Sequence, residues 1–290
     1  MRTRCFFFFL MLNPIMERLP FEISIKLFSL LSTRDLCEAT CVNQHWNVAA
    51  SSILYKCPLL QTPRQLSLFA QIADRAQAHV HHLDLTRVYE HATDKMFLRL
   101  HYLTHLKHIN LSKCTHLTPA AIYPLIQSNA YQLHTLILAN CTISNDILHW
   151  IGKATRHHLQ FLDLSNTMIK PCVSIDTANH LDSMFDTTTI IKANLRHLDL
   201  SYCTWVNGQT VENIAQCLPN LEHIILQWCN QIKLKSIDIL VQKLGCLDTI
   251  DIRHIETIAN TTQACVIMEN ALSLKKILFT YKTISTEIVS

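Results

Sequence analysis

Two columns of side chains with chemical potential recur along the chain. One reads His82, His108, Thr135, Phe161, His197, His223, Thr249 and Lys276; two residues on, the other reads Asp84, Asn110, Ile137, Asp163, Asp199, Ile225, Asp251 and Leu278. Histidine beside aspartate is a combination that ligates metals or abstracts protons. Repetition gives a simpler account: duplicated units inherit the same residue at the same register, whereas a catalytic site needs a different group in each role. Other histidine pairs, His157/His158 and His101/His105, have ordinary surface or loop readings. The chain has no H-E-x-x-H helix and no Cys/His finger spacing, and its three glycines supply neither a phosphate-cradling loop nor a nucleophile elbow. The expectation is a chain that is not an enzyme and holds no catalytic group, metal or cofactor.

The elements that carry these columns are set by a leucine pattern. Segments of the form Leu-x-x-Leu-x-Leu occur at Leu106/Ile109/Leu111, Leu133/Leu136/Leu138, Leu159/Leu162/Leu164, Leu195/Leu198/Leu200 and Leu221/Ile224/Leu226, with degenerate copies at Val80/Leu83/Leu85, Leu247/Ile250/Ile252 and Leu274/Ile277/Phe279. Successive copies lie 26 or 27 residues apart, except for one interval of 36. A period of that length with that signature predicts a leucine-rich repeat solenoid of eight turns. The strand leucines point inward, and runs such as Val211/Ile214/Ala215/Leu218 and Ile237/Leu240/Val241/Leu244 have helical spacing. The predicted fold is α/β, with parallel strands on a concave face on the order of 34 Å long and helices on the convex face. The long interval requires an insertion near residues 170–184, a candidate for something particular to this chain.

Upstream, residues 17–57 have the pattern of three short helices. Pro20 suits a first helical turn followed by Ile23, Leu27, Leu30 and Leu31; Ser32 with Asp35 resembles a capping box; Asn43 can cap a helix carrying Trp46, Ala49, Ala50 and Ile53. So small a module buries little by itself and is expected to dock on a partner or on the repeats. Residues 58–79, with a helical run through Leu66, Phe69, Ala70 and Ala73, read as a junction that caps the first turn; repeats then occupy 80–282 and a tail 283–290. The start is ambiguous: Arg2 and Arg4 before Phe6 to Leu12 resemble a secretory signal, but the apolar run is short, no small-x-small site follows, and Pro14 leads directly into the helical module. Residues 1–16 are therefore taken as an extension outside the fold.

The residues Leu19, Pro20, Glu22, Ile23, then Leu31, Ser32, Asp35, Leu36, then Cys41, Val42, Asn43, Trp46 resemble an F-box over about 40 positions. Tyr55 stands where that family often has a second Trp, and Asn43 where a Cys or basic residue is more usual. Cysteines at the ninth repeat position, Cys114, Cys141, Cys203 and Cys229, resemble the cysteine-containing repeat class often fused to an F-box. The resemblance implies a substrate-recognition subunit of an SCF-type cullin-RING ubiquitin ligase. It would bind a Skp-family adaptor, and through it the cullin and RING subunits, by way of Leu19, Pro20, Ile23, Leu27, Leu31, Leu36, Val42 and Trp46. Trp46 and Val42 could equally close the module's own core.

The bulky residues that break the columns, Ile137, Phe161, Ile225, Tyr202 and Trp228, are unnecessary to a solenoid and are the expected target-protein site, with Asp163, His197 and Asp199 at its rim. A net charge of +3 with both signs mixed makes nucleic acid an unexpected partner, and no stretch reaches the length of a membrane span. Twelve cysteines without a Cys-x-x-Cys suit buried thiols in a reducing compartment, cytoplasmic or nuclear. Two alternatives stay open: a repeat scaffold or inhibitor outside any ligase, and a secreted or tethered repeat protein.

Overall fold

The computed structural model describes residues 19–169, 193–258, 261–280 and 282–285. The Phe-rich extension and the 170–184 insertion lie outside the described residues. The chain is mixed α/β, with helices at its N-terminus and a sheet-rich, repeat-like region after them. The helical module comprises α1 (Phe21–Phe28), α2 (Thr33–Ala39) and α3 (Gln44–Leu54), followed by α4 (Pro63–Ala76). Strands β1 (His82–Asp84), β2 (His108–Asn110), β3 (Thr135–Ile137), β5 (Phe161–Asp163), β7 (His197–Asp199), β8 (His223–Ile225), β9 (Thr249–Asp251) and β10 (Lys276–Phe279) form one sheet in that order, each parallel to its neighbour. A short second sheet pairs β4 (Thr142–Ile143) with β6 (Met168–Ile169).

The strands from β1 to β8 in the main sheet are short because only one residue in each, the central Leu or Ile, enters the core, while its flanks stay on the outer face. The chain returns through a helix whose apolar edge closes the other side: α5 (Asp94–Leu100), α6 (Pro119–Asn129), α7 (Asn145–His157), α8 (Gly208–Cys217), α9 (Leu234–Lys243) and α10 (Thr261–Asn270). Ile122, Leu125, Ile126, Ile147, Ile151, Val211, Ile214, Ile237 and Leu240 from these helices share one core with the strand leucines. Burying an aliphatic side chain of this size is worth about 1.5–3 kcal/mol, so the continuous layer is the main source of cohesion. The 36-residue interval leaves the sheet intact, since Phe161 still pairs with His197 and Leu162 with Leu198.

Backbone hydrogen bonds link the turns at both strand ends. The carbonyl of the residue before each strand accepts two N–H groups from the next turn: His81 from Lys107 and His108, Lys107 from His134 and Thr135, Arg196 from Glu222 and His223. Lys56, at the end of the helical module, performs this service for His81 and His82 at 3.0 Å each, so the module is joined to the first strand as if it were a preceding turn. Tyr55 and Leu60 pack on the array core, and α4 buries Leu66, Phe69, Ala70 and Ala73 there, with Thr62 and Gln65 forming a capping box at its start. At the far end, residues expected as the beginning of a tail belong in part to β11 (Lys282–Ser285), which pairs antiparallel with β10 along the sheet edge.

The buried cysteines form a second ladder. The thiols of Cys141, Cys203 and Cys229 donate to the carbonyls of Leu111, Leu164 and Leu200 in the preceding turn at 3.0–3.1 Å. Burial pushes Cys114, Cys141 and Cys229 up to about 12 and Cys203 to about 11, so these thiols stay protonated and unreactive at neutral pH. Where Thr167 takes the cysteine's place, its hydroxyl donates to the Leu164 carbonyl of its own turn.

Asn129 links two successive turns through its side chain. Fully buried, its amide donates to the carbonyls of Leu103 and Leu125 and accepts the Leu106 N–H at 2.7 Å. Asn129→Ala would leave buried backbone groups of two turns unpaired, and chemical denaturation is expected to show a loss of about 2–4 kcal/mol.

Candidate functional site

The outward side of the helical module is built by a choice of helix face. In α1 the core residues are Ser24 and Phe28, not the Ile23/Leu27 pair, and Phe28 meets Trp46 edge to face with ring centroids 5.0 Å apart. Ser24 is tolerated in the core because its hydroxyl hydrogen-bonds the ring of His45 at 3.2 Å. Capping fixes the other two helices: Ser32 accepts the Asp35 N–H at 3.3 Å, and Asn43 accepts the Trp46 N–H at 2.8 Å. Pro20 occupies the cap position of α1 itself, one step before the first turn in which it was expected.

With that face inside, Pro20, Ile23 and Leu27 are exposed, joined by Phe21 and by Leu30 at 82% exposure. Leu19, Leu31 and Val42 are half-buried, the latter two against the module's core. Leu36 and Trp46 belong to that core, with Trp46 only 2% exposed, so they hold the face in place rather than forming it. Phe21 and Leu30 complete the apolar face and were not among the expected contacts. The signal was present, since nearly every second residue from Phe21 to Leu31 is apolar, more than one buried stripe can use.

On the outer face of the sheet, the structure brings together most of the residues expected there. Phe161 stacks on His197 at 4.3 Å with ring planes 3° apart, and His197 lies 5.9 Å from His223. Ile137, Asp163, Asp199 and Ile225 are register neighbours in a row across β3, β5, β7 and β8. All are half-buried. The carboxylates are also committed locally: Asp163 accepts the Ser165 N–H at 2.8 Å, and Asp199 accepts both the N–H and the hydroxyl of Ser201, at 2.8 and 2.6 Å. Asp84 with Thr86 and Asn110 with Ser112 make the same turn, which is why the column favours Asp and Asn.

Tyr202 and Trp228 stand elsewhere than on the strand columns, where they were expected. Both lie two residues past the last leucine of their turn, with left-handed backbone at φ 62° and 60°, as do Lys113, Asn140, Asn166 and His254 in theirs. Their N–H groups continue the ladder, Tyr202 to the Gln227 carbonyl and Trp228 to that of Arg253. Side chains on successive turns consequently stack: Tyr202 on Trp228 at 5.9 Å, and Trp228 on His254 at 4.6 Å. Tyr202 remains 50% and Trp228 45% exposed. Positive φ is uncommon for a bulky residue, and here it recurs at the same position of successive turns, so the turn geometry imposes it on Tyr202 and Trp228. His254 is the member that sequence reasoning missed, although it follows Trp228 by one 26-residue period.

Residues 16–61 match the family model for an F-box-like domain. The chain carries an F-box-like domain. No curated protein matches the chain. Among solved structures, it is similar to the one described as the crystal structure of the Rad7 and Elc1 complex in yeast, at 12% identity and TM-score 0.38, covering 92% of this chain and 91% of that one. It is also similar to the TLR13–ssRNA13 complex, at 15% identity and TM-score 0.28, covering 69% of this chain and 34% of that one.

F-box-like domains are generally non-catalytic. Among the described residues, no group of three or more His, Cys, Asp or Glu side chains is placed to hold a metal ion, and no helix is long and apolar enough to cross a membrane. Burial raises the Asp199 carboxyl above its ordinary value, against the pull of its Ser201 hydrogen bonds. Burial first, then neighbouring cations or imidazoles, hold His82, His108 and His197 below the usual 6.5. Because the folded pKa lies under the unfolded one, the unfolded chain binds more protons as pH falls through 6.5, and stability drops until the folded pKa is passed. Thermal melts should therefore show a lower midpoint at pH 5.5 than at 7.5, and replacing His82 and His108 by Gln should shrink the difference.

Proposed function

We propose that this chain is a substrate-recognition subunit of an SCF-type cullin-RING ubiquitin ligase. Its N-terminal helices would bind a Skp-family adaptor, and its repeats, a leucine-rich solenoid of the cysteine-containing class, would bind a target protein. One observation carries the proposal: the segment matched as F-box-like folds into three helices and leaves Pro20, Phe21, Ile23, Leu27 and Leu30, all in or beside α1, exposed. Exposed apolar residues gathered on one small helix support a protein partner. The bonds from His81 and His82 to Lys56 support a fixed relation between adaptor and target sites. Catalysis would be proximity: the chain contributes geometry that raises the effective concentration of a target lysine near a conjugating enzyme recruited elsewhere.

The target surface in this reading comprises Phe161, His197, Ile137 and Ile225 on the sheet, edged by Asp163 and Asp199, with Tyr202, Trp228 and His254 as the aromatic anchors beside them. Buried, protonated thiols support residence in a reducing compartment, cytoplasmic or nuclear. The bonds to Lys56 also suit a second reading, a scaffold or inhibitor in which the helical module serves only as a cap for the first turn.

Adaptor capture separates the two. Purified with a Skp-family adaptor, the full chain should hold it stoichiometrically. Changing Leu19→Ala and Pro20→Ala, or Ile23→Asp and Leu27→Asp, should weaken capture by about 2–4 kcal/mol, at least tenfold, with the thermal melt retained. A folded wild type that captures no adaptor leaves the scaffold reading in place of the ligase. Trp46→Ala would be a poor test, since it empties the module's core.

A further inference from the structure

Charge is distributed unevenly along the column that precedes the strands, which reads His81, Lys107, His134, Gln160, Arg196, Glu222, Asp248 and Lys275. In the later turns the cations are matched, Arg196 to Glu222 at 2.8 Å and Lys275 to Asp248 at 2.9 Å. In the first turns they are not: among the described residues, no carboxylate lies within ion-pair distance of Lys107 or of Lys56, whose carbonyl joins the same ladder. Imidazoles crowd around them instead. His82 stacks on His108 at 4.2 Å with planes 11° apart, His108 lies 6.1 Å from His134, and His134 stacks on His158 at 5.5 Å. The nearest acid on these strands, Asp84, accepts both the N–H and the hydroxyl of Thr86.

We propose that the first three turns hold a carboxylate-rich segment of the protein partner, gripped by Lys56 and Lys107 and by the stacked imidazoles of His82 and His108, with binding coupled to proton uptake. The inference deepens the receptor reading and rests on it only in taking the partner to be a protein. Two lysines and four nearby imidazoles, against a single locally committed carboxylate, form a surface whose complement is an extended acidic strand. Such a strand would lie next to the F-box-like module rather than over the aromatic anchors. The groups facing His82 are Lys56, His81, Lys107, His108 and Asp84; those facing His108 are His82, His134 and Lys107. After burial, this positive surround is what opposes their protonation in the free chain. A bound carboxylate reverses that opposition, so the complex takes up protons that the free protein releases, and affinity must rise as pH falls.

The test uses the full chain and a fluorescent octaglutamate peptide, followed by anisotropy at constant ionic strength. Glutamate stays ionised across the range, so any pH dependence belongs to the protein. Binding should tighten about tenfold from pH 7.5 to pH 6.0, the size expected for uptake of roughly one proton. The pair Lys56→Gln, Lys107→Gln should weaken binding about tenfold at both pH values, because a contact charge of each lysine is lost. The pair His82→Gln, His108→Gln should weaken binding at both pH values and lose the tightening between them, while Lys235→Gln, Lys243→Gln on α9 changes neither the affinity nor its pH dependence. Thermal melts check that each variant is folded. The proposal is overturned by absence of peptide binding, by binding that ignores the Lys56/Lys107 pair or pH, or by tighter capture of a single-stranded oligonucleotide. Adaptor capture with no peptide binding sinks this proposal alone; peptide binding without adaptor capture sinks the ligase reading alone.

Discussion

No turn of the array can bury its own apolar edge, and that constraint governs the rest of the molecule. A strand with one inward side chain, such as Leu136 or Leu198, has nothing to pack against except the turns on either side and the helix that returns behind it. The same is true of the backbone, because each strand's hydrogen bonds are made only to neighbouring turns. Cohesion is thus nearest-neighbour, and the two ends are where it would fail. Both ends are managed: Lys56 and α4 close the first turn, and β11 pairs the last strand.

Because the core needs one residue type at each inward position, freedom is left to the positions between. Most of that freedom is spent on turn chemistry, as with the Asp and Asn residues that accept from the residue two ahead. What remains is where turns differ. The early turns gather Lys56, Lys107 and stacked imidazoles, the middle turns gather Phe161, His197 and their apolar neighbours, and the later turns carry the Tyr202–Trp228–His254 stack. A partner-binding role for these differences is the proposal that makes sense of residues the fold does not require.

The strands were legible in the sequence because an inward leucine leaves a mark at fixed register, strong enough to survive the 36-residue interval between Leu159 and Leu195. The junction helix was legible through the spacing of Leu66, Phe69, Ala70 and Ala73. Three things were not. In α1, apolar residues lie on two sides, and only packing against Trp46 decides that Phe28 goes in while Ile23 and Leu27 stay out. Tyr202 and Trp228 looked like strand-face residues because nothing in a Tyr or Trp advertises positive φ; Asn140 and Asn166 at the equivalent position were the available hint. The strand Lys282–Ser285 is too short to show a period, and its pairing comes from the open edge beside it.

The proposed receptor role depends on which surface an adaptor would touch. Hydrogen–deuterium exchange of the full chain, alone and saturated with a Skp-family adaptor, measures this without altering a residue. The proposed receptor role predicts slowed exchange across residues 19–31, with the amides of Tyr202, Trp228 and the sheet unchanged. Protection confined to the sheet or to the aromatic stack, with α1 unaffected, would contradict it.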